Sequence, residues 1–213
     1  VTHSALASAL RLYLVTDQVS LLGHTLTDVM MAAVQGGVTC VQLREKQLTT
    51  RDFVAQAMAL SALLRPLHIP LVINDRIDVA LACNAQGVHL GQSDMPVELA
   101  RSLLPPEVFI GWSVETMDDV TRSASLPVDY LGVSPVFATP TKTDTHTPWG
   151  LDGLRRVRAI TALPLVAIGG IHSGNALDVL RAGADGLAMV SAICSAPDPR
   201  LAAQTLRTLC DGI

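Results

Sequence analysis

Short runs of aliphatic and β-branched residues alternate along the chain with stretches whose apolar positions recur every three or four residues. The runs Leu12 to Val15, Cys40 to Leu43, Leu71 to Ile73, Val88 to Leu90, Val108 to Trp112, Tyr130 to Val133, Leu165 to Ile168 and Gly186 to Met189 have the length and composition of buried strands. Between them, sets such as Leu26, Val29, Met30, Ala33 and Val34, or Phe53, Ala57, Leu60 and Leu64, fall on one face of a helix. Gly37, Gly87 and Gly183 each stand just before a strand, where a glycine closing the preceding helix is expected. Regular alternation of strand and helix predicts an α/β protein with a parallel sheet.

Eight such units in 213 residues leave about 27 residues each, close to the lower size limit of a (β/α)8 TIM barrel. No linker or low-complexity segment interrupts the pattern, so residues 1–213 are expected to form a single domain. The alternative is a doubly wound open sheet. Its usual nucleotide fingerprints, G-x-G-x-x-G and G-x-x-x-x-G-K-[ST], do not occur in the chain, and the barrel is preferred.

Composition narrows the function. The chain is 49% hydrophobic and 16% charged, with a formal net charge of −4. That balance argues against a broad nucleic-acid footprint or a polybasic membrane patch, so an anionic ligand must be met by a few local cations or a metal. Apolar runs are broken well before the roughly 18 residues of a spanning helix, so no membrane partner is expected. Cys40, Cys83, Cys194 and Cys210 are far apart with no metal-ligand spacing, and read as buried hydrophobes of a reducing compartment. The Ala/Leu-rich opening Thr2 to Leu10 lacks the basic residues of a secretory signal. A cytoplasmic location is expected.

In a barrel of this kind, chemistry collects beyond the C-terminal ends of the strands. The chain places polar residues there. After the second strand, Gln42, Arg44 and Lys46 share one phase while Val41 and Leu43 take the other, which suits an anion cradle better than an isolated surface ion pair of Arg44 with Glu45. Asp75 and Asp94 follow the third and fourth strands. Each alone fits a helix N-cap, but together, opposite two cations, they suit a Mg²⁺ shared with substrate phosphates. Ser134 to Trp149 is a long Thr/Pro-rich loop with Lys142 as its one fixed cation, suggesting a lid over a phosphate or simply a solvated loop. His89, inside an apolar strand, reads as a hydrogen-bonded core residue, and His146 as exposed. Gly169-Gly170 after the seventh strand and Val190-Ser191 after the eighth fit a phosphate site built from backbone N–H groups, with tight-turn glycines and Ser191 as an N-cap the structural alternative. No G-x-S-x-G, no H-E-x-x-H and no obvious Ser/His/Asp set is present.

The motifs Tyr13-Leu14-Val15-Thr16-Asp17, Val41 to Lys46, Asn74-Asp75-Arg76, Gly87 to Asp94, Pro135 to Lys142 and Ala167 to Ile171, in this order, resemble those of the thiamine-phosphate synthase family. The resemblance covers nearly the whole chain. It implies a barrel enzyme that joins a hydroxymethylpyrimidine diphosphate to a thiazole ethyl phosphate with release of pyrophosphate. It further implies that Gln42, Arg44, Lys46, Asn74, Ser113 and Lys142 contact the pyrimidine diphosphate, that Asp75 and Asp94 hold Mg²⁺, and that Thr139, Thr141, Gly170, Val190 and Ser191 hold the thiazole phosphate. Arg44, Lys46 and Lys142 would carry the catalysis. Ser134, where glycine is expected, and Ser93, where a further acid is expected, depart from the family pattern. The partners implied are phosphorylated small molecules, with association into a homo-oligomer left open. A tautomerase of the same superfamily and a non-catalytic phosphate-binding regulator are the competing readings. The first would carry a histidine where this chain has Pro135 and would lack the two aspartates, and the second would also lose Lys142.

Overall fold

The computed structural model describes residues 3–18, 21–139 and 147–212. Eight parallel strands, β1 (Leu12–Val15), β2 (Cys40–Leu43), β3 (Leu71–Asn74), β4 (Gly87–Leu90), β5 (Phe109–Val114), β6 (Tyr130–Val133), β7 (Leu165–Ile168) and β8 (Gly186–Met189), pair in sequence order and close through β1 and β8. The helices are α1 (His3–Ala9), α2 (Leu26–Gln35), α3 (Thr50–Leu64), α4 (Ile77–Cys83), α5 (Val97–Leu103), α6 (Met117–Ser123), α7 (Gly150–Ile160), α8 (Ala176–Arg181), α9 (Ser191–Cys194) and α10 (Pro199–Asp211). This is the expected TIM barrel. Strand limits agree with the apolar runs to within two residues, and the largest difference is at β5, which runs on through Ser113.

The two phases of each strand divide the core into two shells. Leu12, Leu14, Val41, Leu43, Leu71 and Ile73 pack outward under helix faces that include Leu26, Val29, Met30, Phe53, Ala57 and Leu60. The opposite phase fills the interior with Tyr13, Val15, Cys40, Val72, Phe109, Tyr130, Val166 and Ala188, joined by Leu6 of α1 and Leu10 just after it. The opening segment is therefore a helix that packs into the barrel. Bulky interior residues are accommodated by neighbours without side chains. A Cβ on Gly111 would lie 2.0 Å from the Tyr130 ring, and one on Gly87 would lie 2.3 Å from Phe109.

That packing corrects the reading of Gly87 as a helix-closing residue. The left-handed cap of α4 is Asn84, with φ 52°, and Gly87 opens β4. Gly37 and Gly183 do take left-handed backbone, with φ 106° and 114°, as helix-terminating glycines require. All four cysteines are buried and free. Among the described residues no helix is long and apolar enough to cross a membrane.

An equally close approach involves main chain. A Cβ on Gly186 would stand 2.0 Å from the Leu10 carbonyl oxygen, which no rotamer change can relieve. Gly186→Ala should cost about 3 kcal/mol or more, read as a lowered midpoint in denaturant unfolding with an unchanged slope.

Candidate active site

The strand ends surround a cavity of about 790 Å³. Gln42, Arg44, Lys46, Asn74, Asp75, Asp94, Ser113, Thr139, Gly170, Val190 and Ser191 all line it. Thr141, Lys142 and His146 lie outside the described residues. Tyr13, His89, Gln92, Glu115, Tyr130 and His172 also contribute to the wall; the sequence gives none of these six a place in the site, and reads His89 as a core residue. Their strand phase could have marked Tyr13, His89 and Tyr130, since each shares the inward phase of its strand.

One side of the cavity is charged. The Arg44 backbone N–H donates to Thr16 Oγ1 at 3.0 Å, which ties the turn after β2 to the end of β1. Among the described residues Arg44 makes no ion pair, and Glu45 instead accepts from the backbone N–H groups of Lys46 and Gln47 at 2.8 Å. Lys46 Nζ meets Asp75 Oδ2. Neither aspartate is a helix N-cap, because those positions fall to Arg76 and Pro96. Asp75 takes left-handed backbone, with φ 62°, a conformation Asp tolerates better than most residues and one that clusters at functional sites. Asp94 Oδ2 accepts from the Gly91 N–H at 2.6 Å. Burial and the neighbouring Asp75 carboxyl push the Asp94 pKa up, while the Gly91 N–H and Lys46 act the other way.

The opposite side is formed mostly by uncharged backbone. Gly169 and Gly170 have φ of 103° and 64°. Any Cβ on Gly170 would meet Phe137 Cβ at 2.7 Å and the Ala138 carbonyl at 2.8 Å, so the β7 turn packs directly against the segment after β6. Asn175 Nδ2 donates to the Gly170 carbonyl at 3.0 Å and holds that turn. Beyond β8, the N-cap of α9 is Val190, with no side-chain capping bond. Ser191 is thus the first helical residue, and the reading of Ser191 as an N-cap is corrected. The first N–H groups of α9 lack intrahelical acceptors, as in any helix.

His89 bridges the floor of the cavity. Its Nδ1 lies 2.8 Å from Tyr130 Oη and its Nε2 2.8 Å from Ser113 Oγ. The expectation of a hydrogen-bonded residue holds, but the ring is only part-buried and faces the cavity rather than a closed core.

A profile of the thiamine monophosphate synthase family matches residues 12–193. The chain belongs to this family. It is 74% identical over 211 residues to a thiamine-phosphate synthase of Albidiferax ferrireducens, covering 99% of this chain and 96% of that protein. It is 52% identical to one of Vibrio parahaemolyticus, covering 96% and 100%. Among solved structures, a thiamine phosphate pyrophosphorylase of Pyrococcus furiosus superposes with a TM-score of 0.89 at 36% identity, covering 97% and 98% of the two chains. Similarity to a 3-hexulose-6-phosphate synthase, with a TM-score of 0.65 at 18% identity, reflects the barrel alone. Like other members of the thiamine monophosphate synthase family, this chain is an enzyme of thiamine biosynthesis, a transferase.

The Asp75–Asp94 contact yields a direct test. In Asp75→Asn the like charge beside Asp94 is gone while Lys46 remains, so Asp94 should titrate at lower pH than in the parent. Side-chain carboxyl ¹³C NMR across a pH series reads the shift. An unchanged or higher Asp94 value would mean that burial alone sets it.

Proposed function

We propose that this enzyme condenses a hydroxymethylpyrimidine diphosphate with a thiazole ethyl phosphate, giving thiamine phosphate and pyrophosphate, in a Mg²⁺-dependent reaction. The observation that carries this reading is that one cavity joins a charged region and a neutral, backbone-lined region, each suited to a different anion. At β2 to β4 stand Arg44 and Lys46 with the paired carboxylates of Asp75 and Asp94. At β7 and β8 stand a glycine turn and a helix start. A diphosphate carries more charge than a phosphate monoester and calls for cations, whereas the monoester can be held by backbone donors.

The donor set fits a hard divalent cation. Asp75 and Asp94 offer carboxylate oxygens side by side, in the number Mg²⁺ commonly takes from protein when phosphates complete its shell. Asp94, whose pKa is raised by burial and by Asp75, is stabilised as the carboxylate by a positive charge placed there. Mg²⁺ bound by these two residues would supply neutralisation of the departing diphosphate. Arg44 and Lys46 add fixed positive charge on the same side, with Lys142 assigned to the same task. The bond from the pyrimidine methylene to the diphosphate oxygen breaks, its electron pair leaves with the pyrophosphate, and the thiazole nitrogen lone pair forms the new C–N bond. Gln42, Asn74 and Ser113 orient the pyrimidine diphosphate. Thr139, Thr141, Gly170, Val190 and Ser191 hold the thiazole phosphate, which aligns the nitrogen with the methylene carbon. Preorganised charge of this kind supplies a large share of the rate enhancement in such transfers.

Purified protein given both substrates and Mg²⁺ should form pyrophosphate and thiamine phosphate in equal amounts, and excess chelator should stop the reaction. Asp75→Asn or Lys142→Ala should lower kcat on the order of 10²-fold. Alteration of the thiazole alone would instead favour the tautomerase reading.

The two regions should also differ in binding. Calorimetric titration is expected to show thiazole phosphate binding without Mg²⁺, and pyrimidine diphosphate binding only with it. Equal metal dependence for both would contradict the division into a charged and a neutral region.

A further inference from the structure

The deepest polar groups of the cavity form one connected chain across five strands. Gln42 Nε2 of β2 donates to Tyr13 Oη of β1 at 2.9 Å. The hydroxyls of Tyr13 and Tyr130 of β6 are 3.1 Å apart. Tyr130 Oη is 2.8 Å from Nδ1 of His89 on β4, and His89 Nε2 is 2.8 Å from Oγ of Ser113 on β5. Both phenols are buried, at 1% and 0% exposure, and burial pushes both pKa values well up. Each therefore keeps its single proton.

Proton counting then gives the chain a direction. An amide nitrogen only donates, so Tyr13 Oη accepts from Gln42 and must send its own proton elsewhere. The Cys40 thiol also lies beside Tyr13, but sulfur is a weak acceptor, and the Tyr130 oxygen takes the proton. Tyr130 in turn donates to His89 Nδ1. A neutral imidazole that accepts at Nδ1 carries its proton on Nε2, which donates to Ser113 Oγ. The Ser113 carbonyl is occupied by Gln92 Nε2 at 2.6 Å. Among the described residues the Ser113 hydroxyl has no partner other than His89, so its proton is left for the cavity.

We propose that His89 is a positioning residue, held by Tyr130 as the neutral Nε2–H tautomer, and that it fixes Ser113 as a hydrogen-bond donor to an acceptor atom of the diphosphate substrate. At the other end of the chain the same constraint leaves Gln42 Oε1 as an acceptor. The identity of that substrate rests on the function proposed above, whereas the tautomer does not. A neutral ring also suits the chemistry, because an imidazolium would oppose positive charge building on the pyrimidine methylene. Two buried phenols, neither of which touches the charged end of the site, thus set which side of a serine the substrate meets.

The test is ¹⁵N NMR of enzyme labelled at histidine, with the His89 signals identified by their loss in His89→Gln. At neutral pH the wild type should show a protonated Nε2 and an unprotonated Nδ1. Tyr130→Phe, which removes the donor to Nδ1, should move these signals toward a mixture of tautomers. A wild-type Nδ1–H tautomer would mean that the whole chain runs in the opposite direction, and an imidazolium would break it; either overturns the proposal. Kinetics supply the second readout. His89→Leu should raise KM for the pyrimidine diphosphate about tenfold and leave KM for the thiazole phosphate unchanged. His89→Gln keeps a terminal N–H donor and should recover most of that loss. Equal effects on both KM values, or no recovery by glutamine, would make His89 a packing residue only. Failure of the wild type to turn over these substrates would sink the proposed function while leaving the tautomer measurement to stand or fall alone.

Discussion

Pairing of β1 with β8 closes the sheet, and closure gives every strand one phase with nowhere to go but inward. Side chains of that phase must fill a space of fixed width. Tyr13, Phe109 and Tyr130 fill it, and Gly87 and Gly111 yield to them because a Cβ at either position would strike a ring. The next inward position along the chain, two residues on, belongs to Gln42, Asn74, His89 and Ser113. The cavity floor is the same packed interior continued upward, with amide, imidazole and hydroxyl in place of hydrocarbon and phenyl ring. Its rigidity comes from the core beneath it.

The charge above that floor is divided unevenly. Lys46 meets Asp75, Asp75 crowds Asp94, and the Gly91 N–H donates to Asp94, so the β2 to β4 side carries strong local fields in a partly desolvated setting. The β7 to β8 side carries no fixed charge in its turn residues Gly169 and Gly170 or in Val190 and Ser191. A protein of net charge −4 has no general attraction for anions, so an anionic ligand must be met by local groups. The two sides of the cavity thus differ in kind, one lined by paired charges and the other by neutral turn residues.

Much of this architecture is legible from the chain alone. Strand positions follow from local apolar runs, and helix faces such as Phe53, Ala57, Leu60 and Leu64 follow from local periodicity, because both patterns report which side of one element meets the core. The phase of Gln42, Arg44 and Lys46 against Val41 and Leu43 is of the same kind. Where local reading failed, the deciding contact was distant. Asp75 and Asp94 have the spacing of N-caps, yet Arg76 and Pro96 take those positions, and the aspartates turn to each other and to Lys46. Gly87 has the spacing of a helix cap, yet its small size answers to Phe109.

The sequence by itself determined that eight strands would form, which phase after the second strand would face the cavity, and that polar residues would gather beyond the strands' C-terminal ends. These are properties of single elements, set by side-chain alternation and helical period. Only the tertiary structure decided which of those residues meet. Lys46 and Asp75 are 29 positions apart, His89 and Tyr130 are 41 apart, and Tyr13 and Tyr130 are 117 apart. Such pairings depend on strand register and barrel closure, and no local pattern encodes a distance across the barrel.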